Sequence, residues 1–408
     1  MLRNTCIHGV LDTDFYKLTM LQAYLQQVPN HSSEWVFHCR NNEDLTPYLE
    51  LLREELAGLA QMRLELPALR ELSRSCPQFS PDFLEYLYRF RFDPSLVEAR
   101  IQAGKLTIRA RGPLCQTSML EIPILSTLSE LRNSMRYPEV DAAVIERVTM
   151  ARIAELERLG DDTDLDGFRF ADFGTRRRFS FAAQQQVLAL LKQHLPRQLL
   201  GTSNPLLAQQ FGLPLVGTMG HEWLQSFQAL DGPLAASQHT ALRRWLEVYP
   251  KARNVALTDV IGRDAFCRDL DFTLANQYSG FRHDSGDPIV WGEAMLARLE
   301  SLGIDPLSKH LVFSDGLDFQ RAVALYRHFR GRTQCDFGIG TWLTGDFGLN
   351  RPLNSVMKMV RFNGRSVAKI SDTPAKNLCR DPQFMQQLMD AFAVNAGVRQ
   401  QIMSQLTG

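Results

Sequence analysis

The 408-residue sequence has no charge of one sign to spare, since Lys+Arg and Asp+Glu each number 45. Without a global basic field, nucleic acid and anionic membrane are not expected partners, and any bound anion must be held by a local site. No apolar run approaches the roughly 20 residues that a membrane helix needs. The opening "MLRNTCIHGVLDTD" lacks the charged-then-apolar order of an export signal. Seven cysteines (6, 39, 76, 115, 267, 335 and 379) are scattered, odd in number and free of C-x-x-C. That excludes an evident disulfide framework or zinc ribbon and suits reduced thiols. Low-complexity tracts and short repeats are also missing. The expectation is a cytoplasmic protein.

What is present is 45% hydrophobic and 22% charged residues, enough for a sizeable core, in a chain long enough for two domains. Residues 14–28 have helical spacing with Asp14 as a candidate cap, and 34–40 alternate like a strand. Residues 43–93 read as helices broken by Pro67, Pro77 and Pro81. Strands are expected at 105–114 and 119–125, and a long helix at 138–159. From about residue 168 short apolar runs recur at helix-length intervals: "FRFADFG", "QLLGTSN", "PLVGTMG", "NVALTDV", "YSGFRHDSGD", "HLVFSDGLD" and "CDFGIGTWL". Each ends in polar residues or glycine, as the strands of a parallel α/β fold do where they converge on one functional rim. Seven such ends suggest a barrel. Beyond 354, "VMKMVRFNGRSVAKIS" predicts a hairpin turned at Asn363-Gly364 and 382–406 a closing helix. The hairpin resembles the N-terminal strands, so it is expected to return to them.

In "PLVGTMGHEW" (214–223) an expected buried strand runs through Gly217 and Gly220 into His221 and Glu222, with Thr218 between the glycines. Position 225 is Gln, so the second histidine of an H-E-x-x-H zinc site is missing and a protein-held metal is not expected. A lone histidine there could merely start a helix, but carboxylates from neighbouring strand ends would give it a chemical role. "SDGLD" (Ser314, Asp315, Gly316) and "GIGT" (Gly338, Gly340, Thr341) follow apolar runs and suit phosphate, backbone N–H groups being approachable at glycine and the next helix adding its positive end. "GFRHDSGDP" brings Arg282, Asp284, Ser285 and Asp287 to one strand end, a set able to hold a sugar with a diphosphate or Mg²⁺. "DFGTRRRF" sets Phe173 beside Arg176, suiting a flat anion. These residues alone indicate a sugar-phosphate enzyme on an α/β barrel.

Taken in order, "LDTDFYKLTM", "DFGTRRRF", "GTSNP", "GTMGHEW", "FRHDSGDP", "FSDGLD", "GIGT" and "KISDTPAK" resemble the nicotinate phosphoribosyltransferase family over about residues 10–380. The resemblance implies an irregular, type II phosphoribosyltransferase-like α/β barrel (136–354) and an α+β domain built from both chain ends, 1–135 completed by 355–408. It implies transfer of phosphoribose from 5-phosphoribosyl 1-diphosphate (PRPP) to nicotinate, coupled to ATP through a phosphohistidine, with Mg²⁺ arriving on PRPP and ATP. It also implies a homodimer with shared sites. His221 matches the phosphorylated histidine and Asp259 its orienting carboxylate, which leaves Glu222 secondary. Phe173 and Tyr16, the latter from the partner subunit, match the residues that sandwich the pyridine ring. Arg176 and Arg282 match contacts to anionic groups, Asp284 to ribose, and the two glycine loops to phosphates. The sister family acting on nicotinamide carries Asp where this chain has Ser203, and Ser203 can donate to a carboxylate, which favours nicotinate. Quinolinate- and nicotinamide-type transferases are the alternatives.

Overall fold

The structure, a computed structural model, describes residues 5–161, 163–377 and 379–407. Residues 1–4, on which the reading of the N-terminus partly rests, lie outside the described residues. Two sheets organise the chain. The first is antiparallel and uses both ends of the sequence: β1 (Ser32–Cys39), β2 (Val97–Gln102), β3 (Lys105–Pro113), and, after a long interval, β10 (Ser355–Phe362) and β11 (Arg365–Ser366), in the order β11-β10-β1-β3-β2. Strand β3 buries Leu106, Ile108 and Ala110, every second residue, as a sheet with one covered face requires. The β2–β3 and β10–β11 hairpins each turn on two residues at positive φ, Ala103 (47°) with Gly104 (72°) and Asn363 (48°) with Gly364 (77°). That is the backbone of a type I′ turn, whose twist matches the flanking strands.

The second sheet is wholly parallel. Strands β4 (Phe170–Asp172), β5 (Leu199–Thr202), β6 (Val255–Leu257), β7 (Gly280–His283), β8 (His310–Phe313) and β9 (Gln334–Ile339) lie in the order β5-β4-β9-β8-β7-β6. Nearly every residue of β4, β6, β7 and β8 is buried, because helices cover the strands. Phe168, Phe313 and Phe337 stack between them, with Phe337 5.2 Å from Phe168 and 5.7 Å from Phe313. No helix among the described residues is long and apolar enough to cross a membrane, and among the described residues no disulfide joins the cysteines.

Several expectations are corrected. Residues 214–216 form no strand: Leu215 makes a single bridge to Thr202 and Pro214 is exposed. Among the described residues the parallel ladders run in one order, β5-β4-β9-β8-β7-β6, and none joins β5 to β6. Residues 119–125 lead into the helix Glu121–Arg136, not a strand. Ile122, Ile124 and Leu125 are all fully buried there, so the run has no amphipathic period to betray it, and Pro123 falls in the first turn, where its missing N–H costs nothing. The closing helix is two, Pro382–Ala391 and Ala396–Thr407, separated at Ala393 with φ 46°.

Candidate active site

The C-terminal ends of the parallel strands open into a cavity of about 640 Å³, within the range of small-ligand sites. Every site residue expected from the sequence lines it except Asp259, Ser285 and Asp287, and Asp287 instead caps the helix Pro288–Ser301, accepting from Ile289 and Val290 N–H. His221 begins a six-residue helix after the loop 217–220. The glycines of that loop allow a neighbouring helix to approach closely. A Cβ on Gly217 would lie 3.3 Å from the Tyr16 backbone N, and one on Gly220 would lie 3.2 Å from the Tyr16 ring and from Met20 Sδ. They admit the helix Phe15–Gln27, and that helix brings Tyr16 to the cavity of its own chain. The expectation that Tyr16 reaches across from a partner is corrected accordingly.

Around His221 the charges are tightly arranged. Its Nε2 lies 2.9 Å from Asp259 Oδ1, 3.5 Å from Asp284 Oδ2 and 2.7 Å from Lys369 Nζ. Lys369 also donates to Asp259 Oδ2 at 2.6 Å, as does the Ser285 hydroxyl at 2.6 Å. Ser285 therefore braces Asp259 behind the histidine instead of facing a substrate. Asp259 asks Nε2 for a proton and Lys369 asks it for a lone pair, so the ring tautomer is set by where the Lys369 ammonium sits. Burial first, and Lys369 second, hold His221 down to about 4, so the imidazole is neutral near pH 7. Burial acts against the Asp259 charge, but Lys369 and His221 outweigh it and hold that carboxyl well below its usual range. Nδ1 has no hydrogen-bond partner among the described residues. Ligand atoms of His221, Asp259 and Asp284 converge within 4.8 Å, as for a metal ion. The Lys369 ammonium already supplies a positive charge to that cluster, so the donor set fits a bare protein-held cation poorly.

Glu222 points elsewhere. It accepts from Lys17 Nζ at 2.7 Å, and Lys17 reaches Glu121 at 2.6 Å on its other side. Burial lifts Glu222 to about 7; at Glu121 the same burial is outweighed by Lys17 and Arg176. Asp259, not Glu222, is the carboxylate that meets the imidazole.

The cavity wall is rich in cations. Arg282 bonds the Thr218 hydroxyl and keeps a buried Nε with no partner. Arg40, Arg176, Arg177, Lys358 and Lys376 share the wall. Burial, then Arg176 and Arg40, lowers Arg177 to about 9, and burial, then Lys369 and Arg176, lowers Lys358 to about 7. Cations that depress one another's protonation in a concave site are stabilised by arriving anions. The two glycine loops sit on adjacent strands, β8 and β9. Lys376 pairs with Asp315 at 2.5 Å, and Gly316 adopts φ 59°. A Cβ on Gly338 would lie 2.3 Å from the Phe173 ring, so only glycine lets that ring lie over β9. The helix contribution expected at these loops is smaller than foreseen. After "SDGL" the N-terminus of Phe319–Phe329 is capped by Asp318, and Thr341–Thr344 is a single turn.

Lys358, Lys369, Lys376 and Arg40 were not assigned roles from the sequence. Lys369 and Lys376 lie in "KISDTPAK", brought to the rim where Ile370 N–H donates to Val260 O at 2.8 Å. The signal for Lys358 was a lysine inside an otherwise apolar strand, "VMKMV". The Ser203 hydroxyl, expected to face a substrate carboxylate, instead donates to Asp14 Oδ1 at 2.6 Å.

Residues 168–396 match the model of the nicotinate phosphoribosyltransferase family, and 11–129 match the model of its N-terminal domain. The nicotinate phosphoribosyltransferase of Ectopseudomonas mendocina is 46% identical over 388 residues, 95% of this chain and 97% of that protein. Nicotinate phosphoribosyltransferase 1 of Pseudomonas aeruginosa is 45% identical over 390 residues, 96% of this chain and 98% of that one. The crystal structure of nicotinate phosphoribosyltransferase from Vibrio cholerae superposes with a TM-score of 0.93 at 38% identity, covering 98% of this chain and 96% of its own.

Proposed function

The chain belongs to the nicotinate phosphoribosyltransferase family, and on that footing we propose that it joins nicotinate to PRPP, giving nicotinate mononucleotide and pyrophosphate in NAD salvage, with ATP spent through His221. The observation that carries this is the His221 imidazole, backed by Asp259 at 2.9 Å, on a cation-walled cavity of about 640 Å³. When nucleotide phosphates draw Lys369 toward them, Asp259 keeps the proton on Nε2, and Nδ1 presents its lone pair to the γ-phosphorus. The P–O bond to ADP breaks and ADP leaves with the electron pair. In the transfer step the pyridine nitrogen attacks C1 of the ribose as the diphosphate departs with its bonding electrons. Phe173 and Tyr16 hold the ring, Arg176 and Arg282 the anionic groups, Asp284 the ribose, and the loops at Ser314–Gly316 and Gly338–Thr341 the phosphates. Mg²⁺ enters with PRPP and ATP.

The fold proposal keeps an irregular barrel over 136–354, with residues 214–216 lying in the gap beside β5, and a second domain of 1–135 with 355–408, supported by the sheet that joins β1 to β10. A quinolinate-type transferase has no use for His221. A nicotinamide-type enzyme carries an aspartate where this chain has Ser203. Pyrophosphate release from nicotinate plus PRPP, with and without ATP, is the test. No release would end the proposal, and release indifferent to ATP would remove the phosphohistidine from it.

Assembly as a homodimer belongs to the same proposal, with each chain completing its own ring pocket. Tyr16→Ala should raise KM for nicotinate by roughly 2- to 13-fold, from about 0.5–1.5 kcal/mol of aromatic contact. Mixing Tyr16→Ala chains with Asp284→Ala chains should yield no site better than either parent, since both residues line one chain's cavity. Recovery of wild-type KM after subunit exchange would put Tyr16 across an interface.

A further inference from the structure

Asp14 holds the N-cap position of the helix Phe15–Gln27, yet its side chain caps nothing. A carboxylate there ordinarily accepts from the second or third helical N–H. Asp14 turns instead to Ser203, whose hydroxyl donates to Oδ1 at 2.6 Å. The backbone fixes the approach, because Phe15 N–H donates to Ser203 O at 2.6 Å. Asp14 is 5% exposed and Ser203 3%, and both line the cavity. The charged and titratable groups facing Asp14 are Arg176 after β4, Asp172 at the end of β4, Glu121 at the start of its helix and Tyr16 on Asp14's own helix. Arg176 is the single cation among them. Burial outweighs the Ser203 bond and Arg176 and lifts Asp14 to about 6.

A serine hydroxyl has one proton. While it is given to Asp14, Ser203 shows the cavity only lone pairs, and a bound carboxylate would also face the Asp14 charge. A proton on Asp14 reverses the chain: Asp14 donates to Ser203, and Ser203 donates to the ligand. We propose that Asp14 is a specificity-determining residue, and that binding of an aromatic monocarboxylate takes up one proton at the Asp14–Ser203 pair. The inference rests on the nicotinate reading above. Its sign follows from the linkage. Below the Asp14 pKa the proton is already present and binding of the carboxylate is flat with pH. Above it, each pH unit weakens that binding about tenfold. A neutral carboxamide meets no second charge when Asp14 ionises and keeps its affinity. Discrimination in favour of the carboxylate therefore fades as pH rises.

The test is KM for nicotinate at saturating PRPP from about pH 6 to about pH 8.5, with the inhibition constant of nicotinamide measured alongside. In the wild type, KM should climb roughly tenfold per pH unit relative to the nicotinamide constant. Asp14→Asn, which cannot ionise, and Ser203→Ala, which breaks the relay from the other side, should both flatten the climb. PRPP phosphates titrate identically in every enzyme and drop out of the comparison. Turnover of nicotinate with a pH-independent ratio, or an unchanged slope in Asp14→Asn, would overturn the proton coupling while leaving the substrate intact. No nicotinate turnover by the wild type would defeat the substrate reading, and this inference with it. If neither variant folds, the wild-type ratio alone decides.

Discussion

His221→Ala is expected to take up no ³²P from γ-labelled ATP and to lose the whole ATP-stimulated part of turnover, while a slow ATP-independent transfer survives. Deleting the nucleophile of a covalent route can cost on the order of 10⁶ in rate where no other route exists. Here the ribosyl transfer itself relies on ring stacking and phosphate grip, which the substitution leaves in place. Asp259→Asn should fall between, since it leaves the imidazole but removes the charge that fixes its proton. Labelling of His221→Ala at the wild-type level would move the phosphoryl acceptor elsewhere.

Asp12→Ala is expected to destabilise the fold by about 3–5 kcal/mol, the largest effect on stability proposed for any single side chain. Arg178 Nη1 and Nη2 grip the two Asp12 oxygens at 2.6 and 2.8 Å, with both side chains fully buried. Asn204 donates to Asp12 Oδ1 at 2.8 Å, and Arg178 also donates to Cys6 O at 2.8 Å. Removing one partner strands the other charge away from water. Combining Asp12→Ala with Arg178→Met should recover a large part of the loss, and a double-mutant cycle from denaturant melts would measure it. A loss under 1 kcal/mol for Asp12→Ala would show that water reaches Arg178. The same grip ties the segment before Asp14 and Tyr16 to the parallel sheet, so the destabilised variant should also bind nicotinate less well.

Legibility in the sequence followed local chemistry. "NG" at 363–364 announced its hairpin because both turn residues need positive φ. The Ala103-Gly104 hairpin, and β2 with it, leaves no comparable mark in the sequence, because alanine at that position carries no such signal. Strand ends such as "LTDV" and "FRHDSG" were readable as apolar runs closing on polar groups. The run "PLV" gave the same signal without being a strand, since its neighbours in space, not its composition, decide pairing. Buried from all sides, "EIPIL" could be told from a strand only by what packs around it. At the site, His221 stood out by type and setting, whereas Lys369 came from 148 residues away. Asp14 has the sequence setting of an ordinary cap, and only the fold bonds its carboxylate to Ser203.

The sheet order also sets a timetable for synthesis. Strand β1 pairs on one side with β3, close behind it, but on the other with β10, where Val36 faces Lys358. That partner leaves the ribosome roughly 300 residues later, which at about 5–20 residues per second is a wait of roughly 15–60 s. Throughout that interval one edge of β1 is open to any passing strand. Chains cut short before residue 355 can never close it, so they should be caught by chaperones or aggregate rather than persist as partial enzymes. A chain ending at residue 340 should be far more sensitive to protease near β1 than the full 408-residue chain.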